Sequence, residues 1–309
     1  MSEILVGTCS WTDRALLASG WYPPGLKDAE GRLRHYAGRF PLVEADSTYY
    51  ALPAERTCRS WAERTPDGFR FDVKAFSLLT GHPTRQAALP ADLRDLPTGP
   101  ELLDTVWRRF DDALAPLREA DRLGSLLFQY PPWFAPGPRA ERTLAECARR
   151  AEDRSPAVEF RHPAWWREDR AARTAALLTD LGMAAVAVDT AQGLPRSMPP
   201  VAPVTADRLA VIRFHGRSPA WGNGSKEDKF RHTYTTAELT EWLPRIRAMS
   251  ERAEELHVLF NNCCADAAVR AAESMRRLLG TPSPLDTPSP LDAPPLGDTP
   301  GNSPDATLF

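Results

Sequence analysis

The chain is poor in cysteine and histidine, has no long apolar run and carries no excess of basic charge. Its five cysteines, Cys9, Cys58, Cys147, Cys263 and Cys264, are too few and too irregular for a disulfide framework. No CxxC pair occurs, which argues against a zinc ribbon. The six histidines form neither an HxH nor an HExxH pattern. No run approaches the roughly 20 apolar residues that cross a bilayer. Met1–Ser10 lacks a charged start followed by a long apolar stretch. A cytoplasmic protein without membrane contact is therefore expected. The net charge of −3 and pI of about 6.1 give no global basic field, so nucleic acid is not the favoured partner. No nucleotide or flavin motif stands out.

Eight short, mostly apolar runs are present: Ile4–Trp11, Leu42–Tyr49, Phe69–Phe76, Ser125–Tyr130, Ala157–His162, Ala184–Thr190, Leu209–Arg217 and Leu256–Asn262. Most meet polar or charged residues at their carboxyl ends. Helix-compatible segments separate nearly all of them: Ala54–Arg64, Glu101–Glu119, Pro138–Ala151, Glu168–Leu181, Thr236–Arg252 and Ala265–Leu279. Thr236 reads as a cap without a full capping box, because Leu239 follows three residues on. The sixth unit is weak, with Pro-rich loop and little helix between Asp189 and Arg208. Eight strand–helix units predict an α/β fold, a single (β/α)₈ TIM-type barrel over residues 1–280, with its active site at the carboxyl ends of the strands. Long loops run from Trp11 to Gly31 and from Leu78 to Pro100, lengths typical of lids and binding loops. Residues 281–309 repeat TPSPLD and then degenerate. Their Pro, Ser, Thr and Asp content predicts a disordered tail.

Strand residues two apart share a face. Val211, Arg213, His215 and Arg217 should point into the barrel, with Ala210, Ile212 and Phe214 toward the helices. The same reading pairs Glu159 with Arg161, Glu44 with Asp46, and Asp72 with Lys74. Gln129, Asp189, Asn261 and Asn262 end strands four, six and eight. Charged groups are seldom buried unless paired. Any one pair, such as Glu159 with Arg213, reads equally well as a self-satisfied core ion pair. A ring of charges across most strands is harder to justify as scaffolding.

The loop after strand seven, Arg217 to His232, holds Gly222-Asn223-Gly224 among basic residues, at the position where such barrels bind phosphate. His215 titrates near neutral pH and suits acid–base work, metal ligation, or a core role beside a carboxylate. Glu44, Glu159, Asp189 and His215 are chemically adequate as ligands for a divalent cation such as Mn or Zn, without diagnostic spacing. Cys9 and Cys263 end neighbouring strands, with Cys264 adjacent. A thiol cluster and plain buried cysteines are both compatible with that placement.

Taken together, GTCSW (7–11), VEADSTYY (43–50), WAERTPDGFRFDVKAF (61–76), FQYPPWF (128–134), VEFRHPAWW (158–166), VDT (188–190), IRFHGR (212–217), the Tyr234–Trp242 stretch and LFNN (259–262) resemble the bacterial domain-of-unknown-function 72 family, also called YecE-like. The blocks run in order through nearly all of residues 3–279. The chain departs from the pattern at Cys9-Ser10, where the family favours Ser-Gly, and at Thr80-Gly81-His82, where Thr-His is common. The resemblance implies a TIM barrel and supplies no reaction.

The leading functional expectation is a hydrolase or lyase acting on a phosphorylated or otherwise anionic small molecule. Lys74, Arg161, Arg213 and Arg217 would hold the anion. Glu159 or Asp189 would be the base, His215 the acid or its partner, and Glu44 a further catalytic carboxylate. Trp11 and Tyr49 would line the pocket, with Asp46, Gln129, Asn261 and Asn262 also facing ligand. The alternatives are a metal-dependent phosphodiesterase on nucleic-acid ends and a non-catalytic anion-sensing module.

Overall fold

The computed structural model describes residues 2–194, 196–221, 225–262 and 264–281. The tail read from sequence as disordered lies, from residue 282 on, outside the described residues. Eight parallel strands close in chain order: β1 (Glu3–Cys9), β2 (Leu42–Ala45), β3 (Arg70–Lys74), β4 (Leu123–Gln129), β5 (Pro156–Glu159), β6 (Ala184–Asp189), β7 (Leu209–Phe214) and β8 (Glu255–Phe260). The β1–β8 pairing, from Glu3 opposite Glu255 to Thr8 opposite Phe260, completes the ring. Strands covered on both faces are short and largely apolar. In β6 and β7 every residue is buried.

Helices α1 (Arg14–Ala18) and α2 (Ala29–Ala37) follow β1, and α3 (Glu55–Glu63) follows β2. Then come α4 (Pro100–Glu119), α5 (Pro138–Arg150) and α6 (Glu168–Asp180), each after one strand. After β7 lie α7 (Lys226–Lys229), α8 (Thr236–Thr240) and α9 (Leu243–Ser250), and α10 (Ala267–Leu279) closes the barrel against β1 and β8. No helix is assigned between β6 and β7 among the described residues, as the proline-rich sequence there suggests.

Two readings of the helices need correction. The stretch after β1 is not loop throughout, because Asp13 and Asp28 each accept backbone N–H groups and start α1 and α2. The segment read as one helix over 236–252 is split, since Pro244 lacks the N–H that would join α9 to α8. Its cap is Thr235, one residue earlier than read, and it forms a full capping box with Glu238.

The barrel interior is charged from bottom to mouth. At the bottom Arg70 on β3 lies 3.4 Å from Glu255 on β8. Above them Asp72 accepts from His257 Nδ1 at 2.9 and 3.0 Å, and both are buried. Gly124 on β4 makes this pair fit, since a Cβ there would lie 2.7 Å from Asp72 Oδ1 and 2.9 Å from His257 Cε1. A typical barrel fills these levels with branched apolar side chains. Two carboxylates surround His257, so although burial alone would lower its pKa, Asp72 and Glu255 raise it to about 9.

Candidate functional site

At the next level Arg213 on β7 spans the barrel. Its guanidinium donates to Glu44 on β2 at 2.7 Å and to Glu159 on β5, and all three are buried. Cys9 on β1 donates its thiol to the other Glu44 oxygen at 3.2 Å. Burial by itself would raise the Glu159 carboxyl, but Arg161 and Arg213 hold it well below the usual carboxylate range. Desolvation dominates at Glu44 and raises it. The Arg213 guanidinium stays charged, because its two carboxylates outweigh its burial.

Above this chain sits the mouth proper. Gln129, the last residue of β4, lies beside Glu159 in register. Its amide oxygen receives three cations: Lys74 at 3.1 Å, Arg161 at 3.2 Å and Arg213 at 3.4 Å. Arg161 pairs with Glu159, and its side chain is 14% exposed. Lys74, on β3, packs 4.8 Å from the Tyr49 ring centroid. Among the described residues no carboxylate forms an ion pair with it. Desolvation, with Arg213 alongside, lowers the Lys74 pKa.

His215 is fully buried beneath Arg161. Its Nε2 lies 3.2 Å from both Arg161 and Glu159, and its Nδ1 is 3.0 Å from the Asn261 amide. Burial and the Arg161 charge push its pKa down to about 3, so the imidazole is neutral at pH 7. It can exchange hydrogen bonds there but has no imidazolium proton to give.

Aromatic rings frame the mouth on two sides. Tyr49 packs edge-on to His82 at 5.2 Å, and His82 lies 6.0 Å from Trp133. Trp133 is 62% exposed and Tyr50 53%. Opposite, Trp221 covers Arg161 at 5.6 Å and His215 at 5.9 Å. Sequence reasoning singled out neither Trp133 nor Trp221. His82 sits at the mouth although Gly81 intervenes, because Gly81 takes a left-handed turn (φ 70°) and Thr80 Oγ1 holds His82 Nδ1 at 2.8 Å. Burial, then Lys74 and Arg161, lower the His82 pKa to about 4.

Several expected site residues lie elsewhere. Register pairs Val188 with Arg213 and Asp189 with Phe214, so Asp189 faces the outer helical layer. There it accepts from Tyr234 at 2.7 Å, Trp242 Nε1 at 2.6 Å and Arg217 at 2.7 Å. Arg217 is committed to that anchor and to Glu241. Gly216 (φ 91°) breaks the alternation that would have turned Arg217 inward. Trp11 does not line the pocket. Ser10 (φ 78°) swings the chain away from the mouth, and Trp11 packs edge-on against Trp61 at 5.3 Å and Phe71 at 6.0 Å. Asp46 begins the short turn after β2 and, from the rim, raises the Glu44 pKa. Asn262 is buried and donates to the His232 carbonyl at 2.9 Å, away from the mouth. Of the loop read as an anion cradle, residues 222–224 lie outside the described residues, as does Cys263 of the thiol cluster. The four side chains considered as metal ligands do not converge: Glu44 and Glu159 are separated by the guanidinium they share, and Asp189 faces outward. No group of three His, Cys, Asp or Glu side chains suited to a metal occurs among the described residues. Nor is any helix among them long and apolar enough to cross a membrane.

Residues 5–294 match the family model described as "Protein of unknown function DUF72". The UPF0759 protein YunF of Bacillus subtilis is 28% identical over 282 residues, covering 89% of this chain and 94% of that protein. The UPF0759 protein YecE of Escherichia coli is 35% identical over 104 residues, 34% of this chain and 32% of that one. A DUF72 family protein from Thermotoga maritima superposes with a TM-score of 0.73 at 28% identity, over 90% of this chain and 99% of that one. Another from Enterococcus faecalis gives 0.76 at 24% identity, over 91% and 99%, which speaks to the fold alone. The chain belongs to the DUF72 family.

Proposed function

We propose that this DUF72 barrel is an enzyme acting on a phosphorylated or otherwise anionic small molecule at the carboxyl end of its strands. One observation carries the reading: Lys74, Arg161 and Arg213 converge on a single neutral oxygen, that of Gln129. The buried cluster holds three cations against two carboxylates, Glu44 and Glu159. An amide oxygen screens one positive charge poorly. An anion above Gln129 would complete the set, with charge-assisted bonds from Arg161 and Lys74. Low solvent access strengthens those bonds.

The roles divide by depth. Arg213 and its carboxylates are positioning groups that fix Arg161 and Gln129 from below. Neutral His215, tied to Asn261, orients Arg161 from beneath. Tyr49, His82, Trp133 and Trp221 supply apolar walls for the body of the ligand. The reaction class, hydrolase or lyase, needs a proton acceptor at this mouth. His82, whose burial and cationic neighbours Lys74 and Arg161 lower its pKa to about 4, offers a neutral imidazole for that role.

The test is a panel of phosphorylated and carboxylated small molecules assayed for turnover by wild type and by Arg161→Gln. The proposal expects turnover of at least one compound, reduced in the variant mainly through a raised KM. Binding without turnover across the panel would replace the enzyme with an anion sensor. No binding of any anion would overturn the site.

A further inference from the structure

We infer that Lys74 is a covalent nucleophile, whose amine condenses with an aldehyde or ketone carbonyl carried by the anionic ligand. The inference rests on the anion-site reading above and adds the chemistry of the ligand, an oxo group beside its charge.

Three observations support it. First, arginine supplies nearly all the basic charge. Of 38 basic residues lysine stands only at Lys27, Lys74, Lys226 and Lys229. At the mouth Arg161 and Arg213 already provide permanent charge, and a guanidinium does not lose its proton in a protein. A lysine there adds what they cannot, an amine able to become neutral. Second, Lys74 forms no ion pair with a carboxylate among the described residues, whereas Arg161 and Arg213 each do. It rests on the Gln129 oxygen and the Tyr49 ring, contacts a reacting carbonyl can replace without stranding a buried charge. Third, its backbone is fixed where the chain leaves β3. Thr48 Oγ1 donates to the Lys74 carbonyl at 2.6 Å, and the Ala75 N–H donates to Leu127 at 2.9 Å. An amine desolvated beside other cations is the arrangement that activates lysine for imine formation.

The step balances. The ammonium gives up a proton, and the free amine adds to the carbonyl carbon, forming a C–N bond as the C=O π pair moves to oxygen. That oxygen takes up one proton. A second, from nitrogen, lets it leave as water while the nitrogen lone pair forms C=N. The ammonium and carbonyl become a protonated imine and one water, with no oxidant or reductant.

The probe is pyridoxal phosphate, an aldehyde that carries its own phosphate. The full chain is treated with it near neutral pH, reduced with borohydride, digested and mapped by mass spectrometry. A lysine whose pKa is lowered presents more free amine near neutral pH than an exposed one. The expected result is labelling of Lys74 about tenfold or more above Lys27, Lys226 and Lys229, with Lys74→Arg losing that label while remaining folded. Lys74 labelled no more than the other three would overturn the inference. If inorganic phosphate nevertheless bound, dependent on Arg161, the anion reading would survive that loss. Conversely, Lys74 labelled equally well by pyridoxal, with no protection by inorganic phosphate, would keep the nucleophile and remove the anion site.

Discussion

His257 is a buried histidine whose two carboxylate neighbours favour its charged form, and its removal has a calculable pH signature. Its folded pKa is about 9 against an ordinary 6.5. A raised pKa contributes stability that is fully present below the unfolded value and is lost as pH rises through the folded one. The difference amounts to about 3 kcal/mol, present below pH 6.5 and gone above about pH 9 to 10. Between those limits stability should fall by up to about 1.4 kcal/mol per pH unit. His215 and His82, with folded values of about 3 and 4, titrate in the opposite sense at the acid end of this range, and they are common to both proteins, so their effect cancels in a comparison of variants. Buried Cys58 and Cys147, both raised to about 12, add a fall of their own at the alkaline end. The comparison is therefore with Asp72→Asn/His257→Gln, which keeps a hydrogen-bonded pair of similar shape without the charges. Urea denaturation at half-unit steps from pH 6 to 9, with the histidine ring followed by NMR, gives both slope and pKa. The wild type should lose about 2 to 3 kcal/mol more than the double variant over that range. Parallel curves, or a His257 titration near 6.5, would refute the ion-pair reading of the lower barrel.

Arg213→Met should cost about 3–5 kcal/mol, because it strands Glu44 and Glu159 without their shared partner. Adding Glu44→Gln and Glu159→Gln should recover part of that loss in denaturant midpoint, and no recovery would contradict the assignment. Gly124→Ala pushes a methyl against Asp72 and His257 and should destabilise by about 1–3 kcal/mol in urea, with a shifted His257 titration. Thr235→Ala removes a capping-box side chain and should cost about 1 kcal/mol, read as a lower Tm.

The barrel was legible because its strands are short buried runs with polar ends, a pattern that barrel closure imposes. The side chains that meet at and just below the mouth, Glu44, Lys74, Gln129, Glu159, Arg161, Arg213, His215 and Asn261, are those on which alternation and strand-end position agree. Asp189 sits at a strand end too, yet which face it takes depends on register with β7, and one sequence does not state register. Arg217 and Trp11 lie just past their strands, where Gly216 and Ser10 take positive φ and the two-residue period stops. His257 was passed over because a lone histidine in LHVLF reads as part of an apolar run. Its parity with Glu255, and a complementary Asp72 on β3, was the signal available. The aromatic walls were least legible, since Trp133 and Trp221 stand in loops whose course no periodicity describes.

The barrel mouth is proposed as an anion site in which Arg161 and Lys74 meet at the Gln129 oxygen. Its most direct test is calorimetric titration of the full chain with inorganic phosphate at low and high salt, for wild type and Arg161→Gln. The wild type should show one binding site, weakened by added salt, and weakened about tenfold or more by the substitution, as expected for loss of a charge-assisted bond. No heat of binding in the wild type, or equal affinity in the variant, would contradict it.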